Sequence, residues 1–394
     1  MDWLDVAIVV AKTAVIFGFL LVQVMMTIWA ERRVVAVMQQ RIGPNRVGPF
    51  GLLQSLADGV KLFFKEDIHP ANADRPIYGL APMVSLVPAF MAFAIVPLGP
   101  GITIGGRTIQ LQLTDLNVGV LFFLAMGSLM VYGVMLAGWA SGSAYPLLGA
   151  VRASAQTLSY EMGMGLAVLA VVMWAGTMST REIVDLQAGT YLYVIPRWFV
   201  GPQLPAFLLF MIAGFAEANR APFDLPEAET ELVGGYHTEY SGIKFAMFMM
   251  TEYVHIITTS AIAVTLFLGG WRGIHPPFLE PLWGVLWFLG KTGFLIFLFM
   301  WVRATFPRIR YDRLMRFGWR VLLPAGLVWV MITAVMVQLP REVDRTTLSA
   351  WTAVIFSVLF LIFAARVTRN TTRRRAALRA AGERMLGGGT RGRR

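Results

Sequence analysis

Cysteine is absent from this sequence. Without thiols the chain forms no disulfide and offers no thiolate ligand to an iron–sulfur cluster. Any redox centre that works with it is a diffusible cofactor or sits on another subunit. Charge is scarce as well: 14% of the residues are charged and 57% hydrophobic, whereas a soluble globular domain is about 25% charged. An ordinary soluble fold is excluded. Histidine is rare, and His69, His237, His255 and His275 are too scattered to suggest a metal site. No Walker loop, HExxH, GxSxG or metal-ligand cluster occurs, so the chain carries no signature of those chemistries. The start, MDWLDVAIVVAK, has Asp2 and Asp5 where a signal peptide has a basic region, and reads as a first membrane span. No internal repeat of the kind many transporters show is visible.

What is present is a series of apolar runs long enough to cross a hydrocarbon core of about 30 Å, which takes roughly 20 helical residues. The expected fold is an all-α integral membrane protein with eight to nine transmembrane helices and an amphipathic helix on the cytoplasmic side. The spans fall at Leu4–Ala30, Tyr78–Leu98, Leu116–Ala140, Gln156–Met178, Trp198–Ala216, Phe245–Leu268, Trp283–Thr305, Trp319–Leu339 and Leu348–Arg366. Of the 34 Lys and Arg residues, 26 lie in the breaks after odd-numbered spans and six in the breaks after even-numbered ones. The positive-inside rule then sets the N-terminus outside and the C-terminal tail in the cytoplasm. Residues 1–366 form one polytopic membrane domain. Residues 367–394 form a basic tail, expected to be mobile or briefly helical on anionic lipid, to which no chemistry is assigned. The net charge of +11 does not gather into one soluble basic face, so nucleic acid is not an expected partner.

The segment the other parts surround is EANRAPFDLPEAETELVGGYHTEY, from Glu217 to Tyr240. It carries six carboxylates, Glu217, Asp224, Glu227, Glu229, Glu231 and Glu239, against one Arg, Arg220. A solvated loop accommodates such charges without comment. However, Pro222, Phe223, Leu225, Pro226, Leu232, Val233 and Tyr236 are interleaved with them, as in a loop folded back against protein. Carboxylates crowded together and half out of water resist ionisation, which makes them candidate proton carriers.

A second segment, Glu31 to Pro70, has Arg32, Arg33, Arg41 and Arg46 beside Glu31 at the mouth of the first span. These arginines suit lipid phosphates, polar head groups or a partner's acids. After the breaks near Gly43 and Gly48, the residues Leu52, Leu53, Leu56, Val60, Phe63 and Phe64 recur at helical spacing. That pattern fits an interfacial helix and an ordinary surface helix equally well.

Ionisable residues within spans are costly unless paired. Here they are Glu161, Glu252 and Lys291, with His255 one turn beyond Glu252 and more simply read as a packed core histidine. Together with Glu31, Glu217 and the loop acids, Glu161 and Glu252 form a candidate chain from the cytoplasmic face to mid-bilayer. Further on, Arg303, Arg308, Arg310, Arg313 and Arg316 are interleaved with aromatics, which suits a docking surface or cavity wall beyond a simple positive-inside stop.

The motifs ERRVVAVMQQRIGPNRVGPFGLLQSLADGVKLFFKE, RASAQTLSYE, EANRAPFDLPEAETELVGGYHTEYSGIKFAMFMMTEY and RATFPRIRYDRLM, in this order, resemble the H-type membrane subunits of bacterial NADH-quinone oxidoreductase, the NADH dehydrogenase subunit 1 family of respiratory complex I. The resemblance runs from about Trp29 to Trp319. It implies a membrane subunit at the junction with the peripheral arm, with loops 31–77 and 217–244 building a quinone chamber and an acidic funnel. The funnel residues it implies are Glu31, Glu161, Glu217, Asp224, Glu227, Glu229, Glu231 and Glu252, with Arg220, Arg152 and Arg303 as basic partners. The quinone contacts it implies are Arg32, Arg33, Arg41, Phe223, Leu225 and Arg303. Quinone, ubiquinone or menaquinone, is the implied substrate, with no flavin, iron–sulfur cluster or metal on this chain. The implied partners are peripheral-arm iron–sulfur and quinone-site subunits, small and antiporter-like membrane subunits, and lipid, in the bacterial plasma membrane. Rival readings are a stand-alone ion transporter, the membrane anchor of a related energy-converting hydrogenase, and a scaffold without chemistry.

Overall fold

A computed structural model describes residues 3–104, 107–191, 195–224, 233–273, 280–339, 351–360, 362–363 and 366. Most of this is helix. Seven helices are long and apolar enough to cross a membrane, as expected of a multi-pass membrane protein. They are α1 (Trp3–Met38), α3 (Arg75–Phe93), α4 (Gly119–Ala140), α5 (Ala144–Ala175), α8 (Gly242–Phe267), α9 (Glu280–Thr305) and α10 (Tyr311–Gln338). Two shorter apolar helices, α7 (Leu204–Glu217) and α11 (Trp351–Phe360), fall at the fifth and ninth expected spans. The surface helices are α2 (Gln54–Phe63) and α6 (Thr180–Leu186). Two short hairpins pair Ile102–Ile104 with Arg107–Ile109 and Thr190–Tyr191 with Ile195–Pro196.

Three boundaries differ from those expected by eight residues or more. α1 does not stop at Ala30 but continues to Met38, so the ERR segment is helix and not loop. Its arginines did not end it because they find partners: Arg32 pairs with Asp58 of α2 at 2.5 Å, and Arg33 donates to the Phe50 carbonyl at 3.0 Å. α5 begins at Ala144, well before Gln156, and carries Arg152 within it. α10 begins at Tyr311 and passes through a π turn at Gly318–Leu322, so Arg313 and Arg316 are also helical.

α8 is the axle of the bundle. Every residue from Thr251 to Phe267 is buried, the hydroxyls of Thr251, Thr258 and Thr265 being satisfied by carbonyls one turn back. Around it α3, α4, α5 and α7 pack closely through small residues, the usual way membrane helices approach when no water drives them together. A Cβ on Gly133 of α4 would lie 2.1 Å from the Ser85 hydroxyl of α3. One on Gly149 of α5 would lie 2.8 Å from the Gly235 Cα, which puts the end of the acidic segment directly on that helix.

Connections sort to two ends. At one, Ile68 N donates to Ser241 Oγ at 3.0 Å, Lys244 pairs with Asp67 at 2.9 Å, and Arg308 donates to the Asp224 carbonyl at 2.5 Å. At the other, Gln187 Oε1 accepts from Phe199 N at 3.0 Å and Gly269 N at 2.9 Å, and Arg272 pairs with Asp185 at 2.5 Å. The breaks after odd-numbered expected spans thus meet at the first end, and those after even-numbered ones at the second.

Candidate functional site

The ionisable residues gather beside α8 at the end that holds loops 31–77 and 217–244. The turn after α7 puts them there. Asn219 adopts a left-handed backbone, φ 49°, and the Ala221–Pro222 peptide is cis. Gln156 of α5, fully buried, donates to the carbonyls of Ala216 at 2.8 Å and Phe223 at 2.9 Å, so both ends of the turn are tied to one amide. Between them projects Arg220.

Arg220 is 8% exposed and bridges two helices. Its Nη2 lies 3.1 Å from Glu252 Oε2 of α8 and its Nη1 3.9 Å from Glu31 Oε1 of α1. Glu31 also pairs with Arg303 of α9, and Glu252 accepts from the Tyr236 hydroxyl at 3.1 Å. Glu31 and Glu252 thus each have a charged partner, without which removal from water would cost several kcal/mol.

A second group lies alongside. Glu217 Oε1 is 3.5 Å from His255 Nε2, both side chains almost fully buried. Glu161 of α5 accepts from the Ser128 hydroxyl of α4. The neighbouring Gly127 brings the α4 backbone so close that a Cβ there would sit 3.2 Å from Glu217 Oε1. Gln156, Ser128 and Gly127 carry no mark of these roles in the sequence. A Ser in a membrane helix ordinarily bonds its own preceding turn, as Ser128 also does to Leu124 O at 3.2 Å, so its second role leaves no pattern.

Next to the charges is an apolar cleft of about 760 Å³ between α1, α2 and α8. Leu21, Val24 and Ile28 form one wall, Leu56, Val60 and Phe63 another, and Phe245, Met249 and Tyr253 the third. The helical repeat in the sequence therefore lines a cavity. Arg32 and Asp58 are its charged residues. Tyr253 divides it from the cluster: one side lines the cleft, and Arg220 sits 4.6 Å over its ring. A separate cleft of about 580 Å³ at the end of α1 is lined by Glu31, Arg32, Arg41 and Arg303.

A family model described as NADH dehydrogenase matches residues 11–334. The chain belongs to this family. Among curated relatives, an H-type NADH-quinone oxidoreductase subunit of Frankia alni is 50% identical over 363 residues, covering 90% of this chain and 78% of the relative. Its namesake from Frankia casuarinae is 51% identical over the same length and shares.

In this NADH dehydrogenase family member the expected residues divide into three sets. Glu31, Glu161, Glu217, Arg220, Glu252 and Arg303 come together as described. Arg32 and Arg41 line clefts, whereas Arg33 is engaged with Trp29 and Phe50, its guanidinium 5.6 Å and 6.0 Å from their rings. Phe223 is buried against Tyr160, ring centroids 5.9 Å apart, and is not among the residues lining either cleft. Arg152 lies 5.8 Å over the Tyr311 ring. Asp224 is half-buried beside the turn, and Leu225, Glu227, Glu229 and Glu231 lie outside the described residues. Lys291 is far from the carboxylates, donating to the carbonyls of Leu268 at 2.6 Å, Gly270 at 3.0 Å and Arg272 at 2.6 Å just past α8. It closes a helix end and takes no part in the cluster. Among the described residues no group of three or more metal-ligating side chains occurs.

His237, in the loop that follows the acids, has its pKa lowered to about 4, first by burial and then by Arg220, with Asp224 opposing. A folded-state value below the unfolded one means that its share of stability is present above about pH 6.5 and is lost as pH falls toward the lowered value. We therefore expect hydrogen exchange in residues 233–241, taken relative to its intrinsic rate at each pH, to quicken between pH 6.5 and 4. His237→Gln, neutral throughout, should remove most of that increase.

Proposed function

We propose that this chain is the membrane subunit of a proton-pumping NADH:quinone oxidoreductase that houses the quinone and couples its reduction to proton movement. The observation that carries this reading is the shared wall at Tyr253, with an apolar cleft on one side and Arg220, Glu252 and Glu31 on the other. The cleft is apolar with few polar groups and of the size that holds small ligands, about 300–1,000 Å³. A long-chain quinone, ubiquinone or menaquinone, matches it. Electrons arrive from a partner's iron–sulfur centre, since this chain has no cysteine to ligate one.

Reduction of a quinone consumes two electrons and two protons. A unit of charge appearing about 4 Å from an ionisable group changes its proton affinity by about 1–4 kcal/mol for ε between 80 and 20. That is about one to three pKa units. Through Tyr253 the change reaches Arg220, and with it the balance between Glu31 and Glu252. Glu217 and Glu161 are next in line. The acidic loop, including Asp224, Glu227, Glu229 and Glu231, feeds this chain, and Arg32 and Arg41 receive polar groups at the cleft mouths. Partners are the peripheral-arm iron–sulfur and quinone-site subunits and the small and antiporter-like membrane subunits, in a bacterial plasma membrane with the N-terminus outside. The family match favours this reading over a stand-alone transporter.

Met249→Trp, which fills the cleft without touching a charge, tests it. In the assembled complex the KM for long-chain quinone should rise about tenfold or more, while NADH oxidation by an acceptor acting upstream continues. An unchanged KM, with no photo-crosslink from an azidoquinone to residues 245–253, would remove the cleft from the reading.

A further inference from the structure

The bland account of His255 is that it fills space in a helix facing protein on all sides. Its surroundings do not fit that account. The Nε2 faces Glu217 Oε1 at 3.5 Å and the Thr259 hydroxyl at 3.3 Å. Glu217 Oε2, itself buried, has no hydrogen-bond partner among the described residues. Beside both lies a small void of about 20 Å³, lined by Ser85, Asn219, Tyr236 and Glu252 as well as Glu217 and His255, with Met130, Val134 and Phe248 as its apolar side. A void of that size holds one water when several polar groups face it, as they do here.

We infer that His255 is a proton-carrying member of the chain, exchanging a proton directly with Glu217 and, through one water in this void, with Glu252. The step is a proton transfer. The O–H bond of a protonated Glu217 breaks as an N–H bond forms at His255 Nε2, turning a neutral acid and a neutral imidazole into a carboxylate and an imidazolium. The imidazolium then gives a proton to the water as the water gives one to Glu252, and no electron moves. Imidazole suits this position because it changes charge nearer neutrality than any other unperturbed side chain. The charged and titratable groups facing it are Glu217 from α7, Glu161 from α5, Arg220 and Tyr236 from the loop, and Glu252 on α8 itself. The three carboxyls among them carry protons in the proposed chain, while Arg220 stays charged and the Tyr236 hydroxyl donates to Glu252. The inference rests on the coupling role proposed above and adds to it the link between the Glu31–Arg220–Glu252 group and the Glu161–Glu217 group.

The test is the intact complex in proteoliposomes, with coupled quinone reduction and proton pumping followed from pH 5 to 8.5. His255→Gln keeps a hydrogen-bond donor near Glu217 but has no proton to exchange. Coupled turnover should fall about tenfold at neutral pH, and one limb of the rate–pH profile should vanish. Thr259→Val keeps the imidazole and the shape of the helix but removes the hydroxyl at Nε2, and should move that limb by half a pH unit or more. Assembled His255→Gln with the wild-type profile overturns the inference. If that variant does not assemble, an unmoved limb in Thr259→Val overturns it. Glu217→Gln separates the two levels of argument. If it pumps normally the coupling role itself fails, whereas if it is impaired while His255→Gln is normal, only the part given to His255 fails.

Discussion

Arg220→Ala should leave the protein in the membrane and lower coupled quinone reduction by more than about tenfold, a barrier increase above about 1.4 kcal/mol. The guanidinium is the cation that Glu31 and Glu252 share, at 3.9 and 3.1 Å, and it lies against the ring that borders the cleft. Removing one partner of a buried ion pair costs about 3–5 kcal/mol when the remaining charge stays put. Here the acids have other recourse. Glu31 keeps Arg303, Glu252 keeps the Tyr236 hydroxyl, and either can bind a proton. The loss should therefore fall on coupling, with Glu31 and Glu252 no longer answering to events in the cleft. Arg220→Lys retains the charge but not the planar stack on Tyr253, and should recover only part of the rate. Proton-to-electron stoichiometry measured on complex of confirmed subunit content decides it. An unchanged ratio in Arg220→Ala would count against the relay.

The second large effect is expected at Glu161. Glutamine there has nearly the same volume and still accepts from Ser128, so α5 and α4 should stay packed and the complex assembled. What is lost is the capacity to bind and release a proton next to Glu217. We expect quinone reduction coupled to pumping to fall about tenfold or more. Wild-type rates in assembled Glu161→Gln complex would reject a role for this carboxyl.

How much of this was legible beforehand differs from residue to residue. The helices were, because lipid allows a spanning segment few alternatives, and each expected span among the described residues contains an apolar helix. Their ends were less so. A run such as ERR reads as a loop when charge is counted, yet α1 continues through it because Asp58 and the Phe50 carbonyl receive the guanidinium groups. The acids Glu31, Glu161, Glu217 and Glu252 stood out because ionisable side chains near or within spans need a reason to be there. Their pairing did not, since it depends on a turn whose shape is set by Gln156, Asn219 and a cis peptide. The contrast between Arg303 and Phe223 has the same origin. Both were expected at the quinone, and Arg303 also as a basic partner of the acids; Arg303 pairs with Glu31 and lines the smaller cleft, while Phe223 packs inside beside Tyr160. Sequence position alone does not say which way a turn faces.

Lys291 gives the molecule a blind side. Its ammonium is fixed by the carbonyls of Leu268, Gly270 and Arg272, and it lies 4.3 Å from the Trp198 ring and 5.8 Å from that of Trp287, at the opposite extremity of α8 from the acids. Three carbonyls and two indoles packed about one side chain close that end of α8. In the proton path proposed above, the exit from the carboxyls is then sideways, into whatever neighbour lies against the bundle, and not along α8.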